Sequence, residues 1–245
     1  MNAPFRPVRQ QVRLADLADP NERARCEAFV AAHADATPFH RPAWLEAVAA
    51  GTGHPAYVLV AEREGELLGF LPLHCIHSPI FGRMLASTGF AVGGGALLAD
   101  GADPAALFAA AENLATRLSV PEIELRGGPL PEEREHWRIR RDSHCGFINL
   151  LAADDEAQLL AIPRKQRAEV RKSLEKPLEV AVGRDEADRA AHYAVYAESV
   201  RNLGTPVFPR SLFDAVLDRF GQDADILTVR HDGQPAASVL SLYHK

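Results

Sequence analysis

The chain has 245 residues and a formal net charge of -6, with 47% hydrophobic and 24% charged residues. This length and apolar content suffice for a buried core in one large domain or two small ones. The acidic balance argues against a broad nucleic-acid-binding surface, which needs widely distributed basic side chains, but it leaves room for a local anion site.

The sequence predicts a cytoplasmic protein without membrane insertion. The N-terminal stretch MNAPFRPVRQQVRLADL contains no apolar h-region. The longest apolar-rich stretch, PAALFAAAENLATRL, is interrupted by Glu112, Asn113 and Arg117, so it predicts an amphipathic helix. Cys26, Cys75 and Cys145 are odd in number and far apart, which is typical of reduced thiols.

The first predicted unit begins with a strand at QQVRL and two helices, DPNERARCEAFVAAH and RPAWLEAVAAG. A hairpin follows in AYVLVAEREGELLGFLPLH, with its turn near Glu64-Gly65. The unit then continues through the Gly-rich stretch STGFAVGGGALLAD, a helix near 104–119, a strand EIELRG and a last strand GFINLLA. We therefore predict a first domain over residues 1–152 and a second over 153–245.

The second predicted unit repeats the first at an offset of 168 residues. TPFHRPAWLEAV (37–48) lies over TPVFPRSLFDAV (205–216), and the order of strand, two helices and hairpin is the same. Its elements are LEVAV, RDEADRAAHYAVYAESV, PRSLFDAVLDRFG and a hairpin with its turn at Asp232-Gly233. A helix over 155–175, kinked or restarted at Pro163, precedes them.

At the same offset, residue 75 maps to 243, shortly before the last residue, 245. The second unit is therefore expected to lack the part that follows the hairpin in the first. We expect ASVLSLYHK to form an open sheet edge, and we interpret the chain as a fragment of a longer enzyme, inactive alone.

The segment IPRKQRAEVRKSL (162–174) contrasts with the acidic chain. It contains five basic side chains, namely Arg164, Lys165, Arg167, Arg171 and Lys172. As a helix, it places Arg164, Arg167 and Arg171 in one stripe beside an apolar stripe. One interpretation is a solvated basic face whose Arg stems cover apolar surface. The other is an anion site, because guanidinium groups bind phosphate or carboxylate in a bidentate manner.

Other segments offer weaker candidates. In SVRNLGTPVFPR, Arg201, Asn202 and Thr205 either belong to a helix connector or bind substrate. His40 either lines a cleft or lies in the core. Gly93-Gly94-Gly95 is either a flexible strand connection or a place where bare backbone approaches a phosphate. Neither metal-ligand spacing nor a nucleophile elbow is present, so we predict no metal and no bound cofactor.

The segments IPRKQRAEVRKSL, YAVYAESVRNLGTPVFPRSLFDAVL and DILTVRHDGQPAASVLSLYH resemble the FemAB-like acyltransferases, and the subgroup associated with exosortase/PEP-CTERM loci in particular. TPFHRPAWLEAV, SPIFGRMLAS and IELRG fit the same subgroup. The resemblance implies an α/β fold with mixed sheets, made of tandem GNAT-like domains of which the second is incomplete at its C-terminus. It also implies transfer of an acyl or aminoacyl group to an amine without a covalent enzyme intermediate.

The resemblance further implies an acyl-CoA or aminoacyl-tRNA co-substrate and an acceptor that is an envelope glycan, peptidoglycan or exopolysaccharide precursor. tRNA-using relatives often carry a helical-hairpin arm, for which there is no room between Leu174 and Leu178. The expected partners are thus an anionic precursor and an acyl donor, with no DNA. The residues identify no general base. The alternatives are a non-catalytic GNAT pair in an envelope assembly and, less favoured, an RNA-binding protein.

Overall fold

The computed structural model describes residues 10–132, 136–142 and 146–244, and it has the predicted mixed α/β architecture. The chain divides into two compact units. The first contains Met1–Glu132, Gly204–Asp225 and Ser241–Lys245, and the second contains Glu133–Leu203 and Ile226–Leu240. None of the helices in these described ranges is long and apolar enough to cross a membrane. Cys145 lies outside the described residues.

The helices and strands follow one another in nearly the predicted order. Up to residue 132 they are β1 (Gln11–Leu14), α1 (Pro20–Ala32), α2 (Pro42–Thr52), β2 (Ala56–Arg63), β3 (Glu66–Ser78), β4 (Gly82–Ala86), β5 (Leu97–Leu98), α3 (Pro104–Arg117) and β6 (Glu122–Glu124). From residue 146 onward they are α4 (Asp155–Ala161), α5 (Arg164–Leu174), β7 (Leu178–Gly183), α6 (Glu186–Asn202), α7 (Arg210–Phe220), β8 (Ala224–His231) and β9 (Gln234–Leu242). Short 3-10 turns, Pro38–His40 and Gly221–Asp223, precede α2 and β8.

The first unit is built on a six-stranded sheet in the order β1-β2-β3-β4-β6, with β5 paired to β3. Neighbouring strands are antiparallel except for β4 and β6, which run parallel. Both faces of this sheet are buried because the apolar side chains of β2 alternate between two cores. Leu59 packs with Leu107 and Leu114 of α3, whereas Val58 and Val60 pack with Cys26, Val30 and Leu45 of α1 and α2.

Helices α2 and α7 pack against each other within the first unit at very short range. A Cβ atom on Gly51 would lie 2.5 Å from the Cα atom of Leu212, so only glycine fits this contact. Ser211 Oγ donates a hydrogen bond to the carbonyl oxygen of Gly51. At the other end of the contact, Arg219 forms an ion pair with Glu46 at 3.1 Å.

A partly buried arginine adds a second link in the same unit. Arg41, which precedes α2, forms ion pairs with Glu27 at 2.9 Å and with Asp223 at 2.8 Å. Its guanidinium group also lies 5.1 Å from the ring centre of Phe220 at the end of α7. These contacts join α1, the start of α2 and the turn after α7 through one delocalised cation.

The second unit contains a three-stranded sheet in the order β7-β8-β9. β7 and β8 are antiparallel, with Leu178 opposite His231 and Gly183 opposite Ile226. The side chains of Val180, Val182 and Val239 are about 60% exposed. In the described part of the chain β9 is an edge strand of this sheet, as the sequence predicted. That the chain is a fragment stays a prediction.

The bounds of several elements agree with the internal repeat. Adding 168 to the bounds of α2 and β2 gives the bounds of α7 and β8. Both hairpin turns have two residues with positive φ, Glu64 (53°) and Gly65 (85°) in one and Asp232 (51°) and Gly233 (72°) in the other. This is the conformation of a type I′ turn, which suits the twist of the flanking strands. Superposition of the whole segments, and the domain boundary near residue 152, stay predictions.

The helix predicted over 155–175 is two helices. Asp154 accepts a hydrogen bond from the backbone of Ala157 and so caps α4, which ends before Ile162. Pro163, with φ of -53° and ψ of 140°, has an extended conformation before α5 begins. The break therefore occurs where the sequence predicted a kink or restart, because a helix rarely continues through the residue before a proline.

The prediction that GFINLLA forms the last strand of the first unit is wrong. Residues 146–152 have no strand conformation, and no described strand pairs with them. Phe147, Ile148, Leu150 and Leu151 are 85–95% exposed. The apolar composition fits a strand, but a strand also needs a hydrogen-bonding partner. Composition does not supply that partner.

Two histidines are buried in the first unit and are held neutral. His40 Nδ1 accepts a hydrogen bond from the backbone N–H of Thr37 at 3.0 Å, and His74 Nδ1 accepts one from Gly89 at 3.0 Å. Burial lowers the pKa of each imidazole to about 4. An ordinary histidine, with a pKa of about 6.5, gains a proton more easily, so these two resist protonation in the folded state.

We predict that Gly51→Ala lowers the free energy of unfolding by about 1–3 kcal/mol, because the new Cβ atom overpacks the contact between α2 and α7. Helix propensity alone predicts the opposite sign, since alanine favours a helix interior by about 1 kcal/mol over glycine. Urea denaturation measures the difference. Ala50→Ser, on an exposed position of the same helix, is the control and should change stability by less than about 0.5 kcal/mol. A stabilising Gly51→Ala would contradict the close packing.

We predict that stability falls as the pH is lowered from about 6.5 towards 4, because the unfolded state gains protons that His40 and His74 do not accept when folded. Each of the two contributes a loss of about 2 kcal/mol between pH 7 and pH 5. Chemical denaturation at the two pH values measures this loss. His74→Asn and His40→Asn should each reduce it, whereas His231→Asn, at an exposed position, should not. An unchanged pH dependence in both variants would contradict the assignment.

Candidate anion-binding site

Helix α5 carries the predicted basic segment, and none of its residues is buried. Arg164, Lys165, Arg171 and Lys172 are exposed, whereas Arg167 is half-buried. Among the described residues, the side chains of Arg164 and Arg171 have no hydrogen-bond or ion-pair partner within the protein. Their guanidinium groups are therefore available to a ligand, as an anion site requires.

Arg167 has a structural role that the sequence did not reveal. Its Nη2 atom donates hydrogen bonds to the carbonyl oxygens of Leu160 at 2.6 Å and Ile162 at 2.9 Å. Its Nε atom also contacts the Ile162 carbonyl at 3.2 Å. These carbonyls lie at the end of α4, where a helix leaves acceptors without intrahelical partners. Arg167 thus joins α4 to α5 across the Pro163 break.

The charge of α5 is compensated only weakly within the helix. Its one acidic residue, Glu169, forms an exposed ion pair with Lys172 at 3.2 Å. Exposed pairs of this kind contribute little to stability because water and salt screen them. The helix therefore retains a strong positive field despite the acidic composition of the chain.

Arg201 and Asn202 form the C-terminal end of α6, in the same compact unit as α5. Both are exposed. Gly204, with φ of 70°, has the left-handed conformation that was predicted for the end of this helix. Thr205 is exposed and lies in the first unit, as does His40. The predicted site residues are therefore divided between the two units, and their common site stays a prediction.

His40 is 3% exposed, so it does not face open solvent. Its Nδ1 atom contacts both the backbone N–H and the Oγ1 of Thr37, and its ring also forms a backbone hydrogen bond with Gly95. Thr37 Oγ1 donates a hydrogen bond to the carbonyl oxygen of Gly93. These contacts hold the Gly-rich segment in place, which favours the core interpretation of His40 over the cleft interpretation.

The Gly-rich segment packs against its own chain. Cβ atoms on Gly94 and Gly95 would collide with the side chain of Thr88 and the carbonyl of Gly127, respectively. One on Gly128 would lie 2.7 Å from the carbonyl oxygen of Ala96. The glycines thus allow two backbone segments to approach each other beyond the ends of the parallel strands β4 and β6. This arrangement favours a structural connection over a phosphate cradle.

The first unit also contains a polar groove that the sequence did not reveal. It has a volume of about 500 Å³ and is lined by Thr52, Gly53, His54, Pro55, Tyr57, Cys75, His77 and Arg83. The His54 ring is stacked on Phe90, with ring centres 5.6 Å apart, and burial lowers the pKa of His54. Arg83 lies opposite His77 in the register of β3 and β4. In the sequence, the only indication of this groove is that His77 and Arg83 flank the turn segment SPIFG.

In the described ranges, no group of three or more His, Cys, Asp or Glu side chains could hold a metal ion.

Comparison with known proteins gives a match to one family model and matches to 15 chains of solved structures, including the two that follow. Residues 164–245 match the family model described as "Acetyltransferase (GNAT) domain". No curated protein matches significantly. The crystal structure of FemX is similar with a TM-score of 0.52 and 17% identity over 84% of this chain and 56% of the FemX chain. Ribosomal-protein-alanine N-acetyltransferase from Brucella melitensis biovar Abortus 2308 gives a TM-score of 0.37 and 19% identity over 58% of this chain and 99% of that one.

The match to the GNAT domain and the match to FemX bear on the fold. The FemX match is low in identity, so it concerns architecture, and this chain spans little more than half of the FemX length. The GNAT match begins at Arg164, the first residue of α5, so the basic helix lies inside the matched region. The chain therefore has a GNAT-like fold, similar to that of FemX.

Proposed function

We propose that the protein is an N-acyltransferase that transfers an acyl or aminoacyl group to an amine. The observation that carries this proposal is the exposed basic helix α5 at the start of the region that matches the GNAT domain. The proposed acceptor is an envelope glycan or a peptidoglycan or exopolysaccharide precursor. The exosortase/PEP-CTERM setting is part of the proposal and rests on the sequence resemblance alone.

The charge on α5 supports an anionic substrate. Acyl-CoA and precursors linked through a diphosphate both carry phosphates, and guanidinium groups bind phosphate oxygens with two parallel hydrogen bonds. Arg164 and Arg171 are exposed on the same helix. In a chain with 33 acidic and 27 basic residues, five basic side chains on one short helix are a marked concentration of positive charge.

The proposed reaction is direct transfer. The amine nitrogen attacks the carbonyl carbon of the donor, the bond to the thiol or hydroxyl leaving group breaks, and the amine loses a proton. The described cysteines are poor candidates for a covalent intermediate. Cys26 and Cys75 are buried. Burial raises the pKa of the Cys26 thiol to about 11, so it stays protonated and weakly nucleophilic.

The connection after α5 supports acyl-CoA over aminoacyl-tRNA as the donor. α5 ends at Leu174 and β7 begins at Leu178, so the connection has no room for a helical arm. In the FemAB-like family that the chain resembles, relatives that use tRNA often carry such an arm.

A second candidate is a non-catalytic binding protein with a GNAT-like fold. It is favoured by the close packing of the Gly-rich segment against Gly127 and Gly128 in the first unit, because this packing occupies space next to the parallel strands β4 and β6. Under this alternative the protein binds an anionic precursor through α5 and transfers nothing.

We predict that Arg164→Ala combined with Arg171→Ala weakens binding of acetyl-CoA or the anionic acceptor by at least about tenfold, since each charge-assisted hydrogen bond contributes about 1.5–3 kcal/mol. Isothermal titration calorimetry measures binding, and a mass-spectrometric assay with acyl-CoAs and aminoacyl-tRNAs measures transfer. Stability should change by less than about 1 kcal/mol.

Arg117→Ala, which removes an exposed charge from α3, is the matched control and should leave binding unchanged. Arg167→Ala should instead destabilise the protein, because it removes the hydrogen bonds to Leu160 and Ile162. Unchanged binding in the Arg164/Arg171 variant would contradict the anion site. Binding without transfer for every donor tested would favour the second candidate.

We predict that replacement of Cys26, Cys75 and Cys145 together by alanine leaves the rate of acyl transfer within about threefold of the unmodified protein, because direct transfer forms no enzyme thioester. The assay is the same mass-spectrometric one, and an acyl adduct on any cysteine of the unmodified protein would contradict direct transfer. The thermal unfolding midpoint of the variant, measured in parallel, separates a loss of folding from a loss of chemistry.

A further inference from the structure

The turn between β3 and β4 presents two large apolar side chains to solvent. Ile80 is 84% exposed and Phe81 is 90% exposed. The turn itself is ordered, because Ser78 Oγ accepts hydrogen bonds from the backbone N–H groups of Ile80 and Phe81, both at 3.2 Å. Gly82, with φ of 84°, completes the reversal in a conformation that suits glycine. The two apolar side chains are thus held outward by a defined turn.

The polar groove of the first unit begins directly below this turn. Ser78 lies opposite Gly82, and the next residues in the register, His77 and Arg83, both line the groove. His54 also lines the groove. The Nδ1 atom of His54 accepts a hydrogen bond from the backbone N–H of His77 at 3.4 Å. The apolar turn and the polar groove therefore form one continuous surface.

The groove is unusual in an acidic protein. Among the described residues that line it, none carries a carboxylate, although acidic residues outnumber basic ones in the chain. Glu122 is the nearest acidic residue in the sheet register and lies opposite Met84. Because successive side chains of a strand point to opposite faces, Glu122 shares the face of Met84 and not that of Arg83. The surface beside the turn thus combines positive charge with exposed apolar groups.

We propose that this surface docks onto an anionic lipid bilayer. Ile80 and Phe81 enter the boundary between headgroups and acyl chains, where an aromatic ring and an aliphatic side chain are both favourable. Arg83 faces the lipid phosphates and is attracted by the negative surface. Docking of this kind is peripheral and needs no membrane-spanning helix. It goes beyond the proposed acyl transfer and does not depend on it.

Flotation of the protein with lipid vesicles tests the proposal. One set contains phosphatidylcholine alone and the other contains about 30 mol % phosphatidylglycerol, an anionic lipid content that gives a negative surface potential. We expect binding to the anionic vesicles that weakens at high salt. Ile80→Asn combined with Phe81→Asn should reduce the partition coefficient at least tenfold, and Arg83→Gln should reduce the preference for the anionic vesicles.

Phe147→Asn combined with Ile148→Asn is a matched control, because it removes the same two residue types from positions that are 95% and 91% exposed. This variant should bind vesicles like the unmodified protein. Equal loss in both double variants would show non-specific adhesion of exposed apolar groups and would overturn the proposal. Failure of the unmodified protein to float would also overturn it.

Soluble glycerol 1-phosphate separates a lipid surface from a free phosphate ligand. If calorimetry shows that it binds in an Arg83-dependent manner while vesicles do not, the groove is a site for a soluble phosphate and the docking proposal is wrong. Thermal unfolding midpoints of all variants should agree within about 3 °C, since the replaced side chains are exposed. Transfer activity of the Arg164/Arg171 variant is independent of this result, so either proposal can fail alone.

Discussion

The contact between α2 and α7 at Gly51 is the interaction on which the first unit depends. It brings α7, whose bounds lie 168 residues after those of α2, against α2 at a position where α2 has no Cβ atom. Close backbone approach excludes water and maximises dispersion contacts, so the two helices act as one packed layer. Arg41, Glu27 and Asp223 join the ends of this layer by ion pairs.

The charged and titratable groups are distributed according to burial. The imidazoles of His40 and His74 lie in the interior, where desolvation keeps them neutral and where hydrogen bonds to Thr37 and Gly89 use their ring nitrogens. The guanidinium groups of Arg164 and Arg171 stay in water, where a charge is not penalised. The buried groups therefore organise the fold, whereas the exposed ones are available for ligands.

The proposed function and the docking surface rest on different elements. Acyl transfer is proposed from α5 and the GNAT match over residues 164–245. In this helix Arg167 stabilises the fold, whereas Arg164 and Arg171 are exposed to ligands. Membrane docking is proposed from the ordered turn of Ile80 and Phe81. In each case exposed side chains sit on a backbone that hydrogen bonds have already fixed, which lowers the entropic cost of binding.

The sequence by itself determined most of the element order, the hairpin turns at Glu64-Gly65 and Asp232-Gly233, and the break at Pro163, because periodicity, turn chemistry and proline act locally. It also identified the basic helix, since charge is visible in composition. Only the tertiary structure decided that Arg167 closes α4, that His40 is buried and that GFINLLA has no described strand partner. It alone also showed that His54, His77 and Arg83 share one groove. These facts depend on which segments meet in space, and residues far apart in the chain carry no local signal of that meeting.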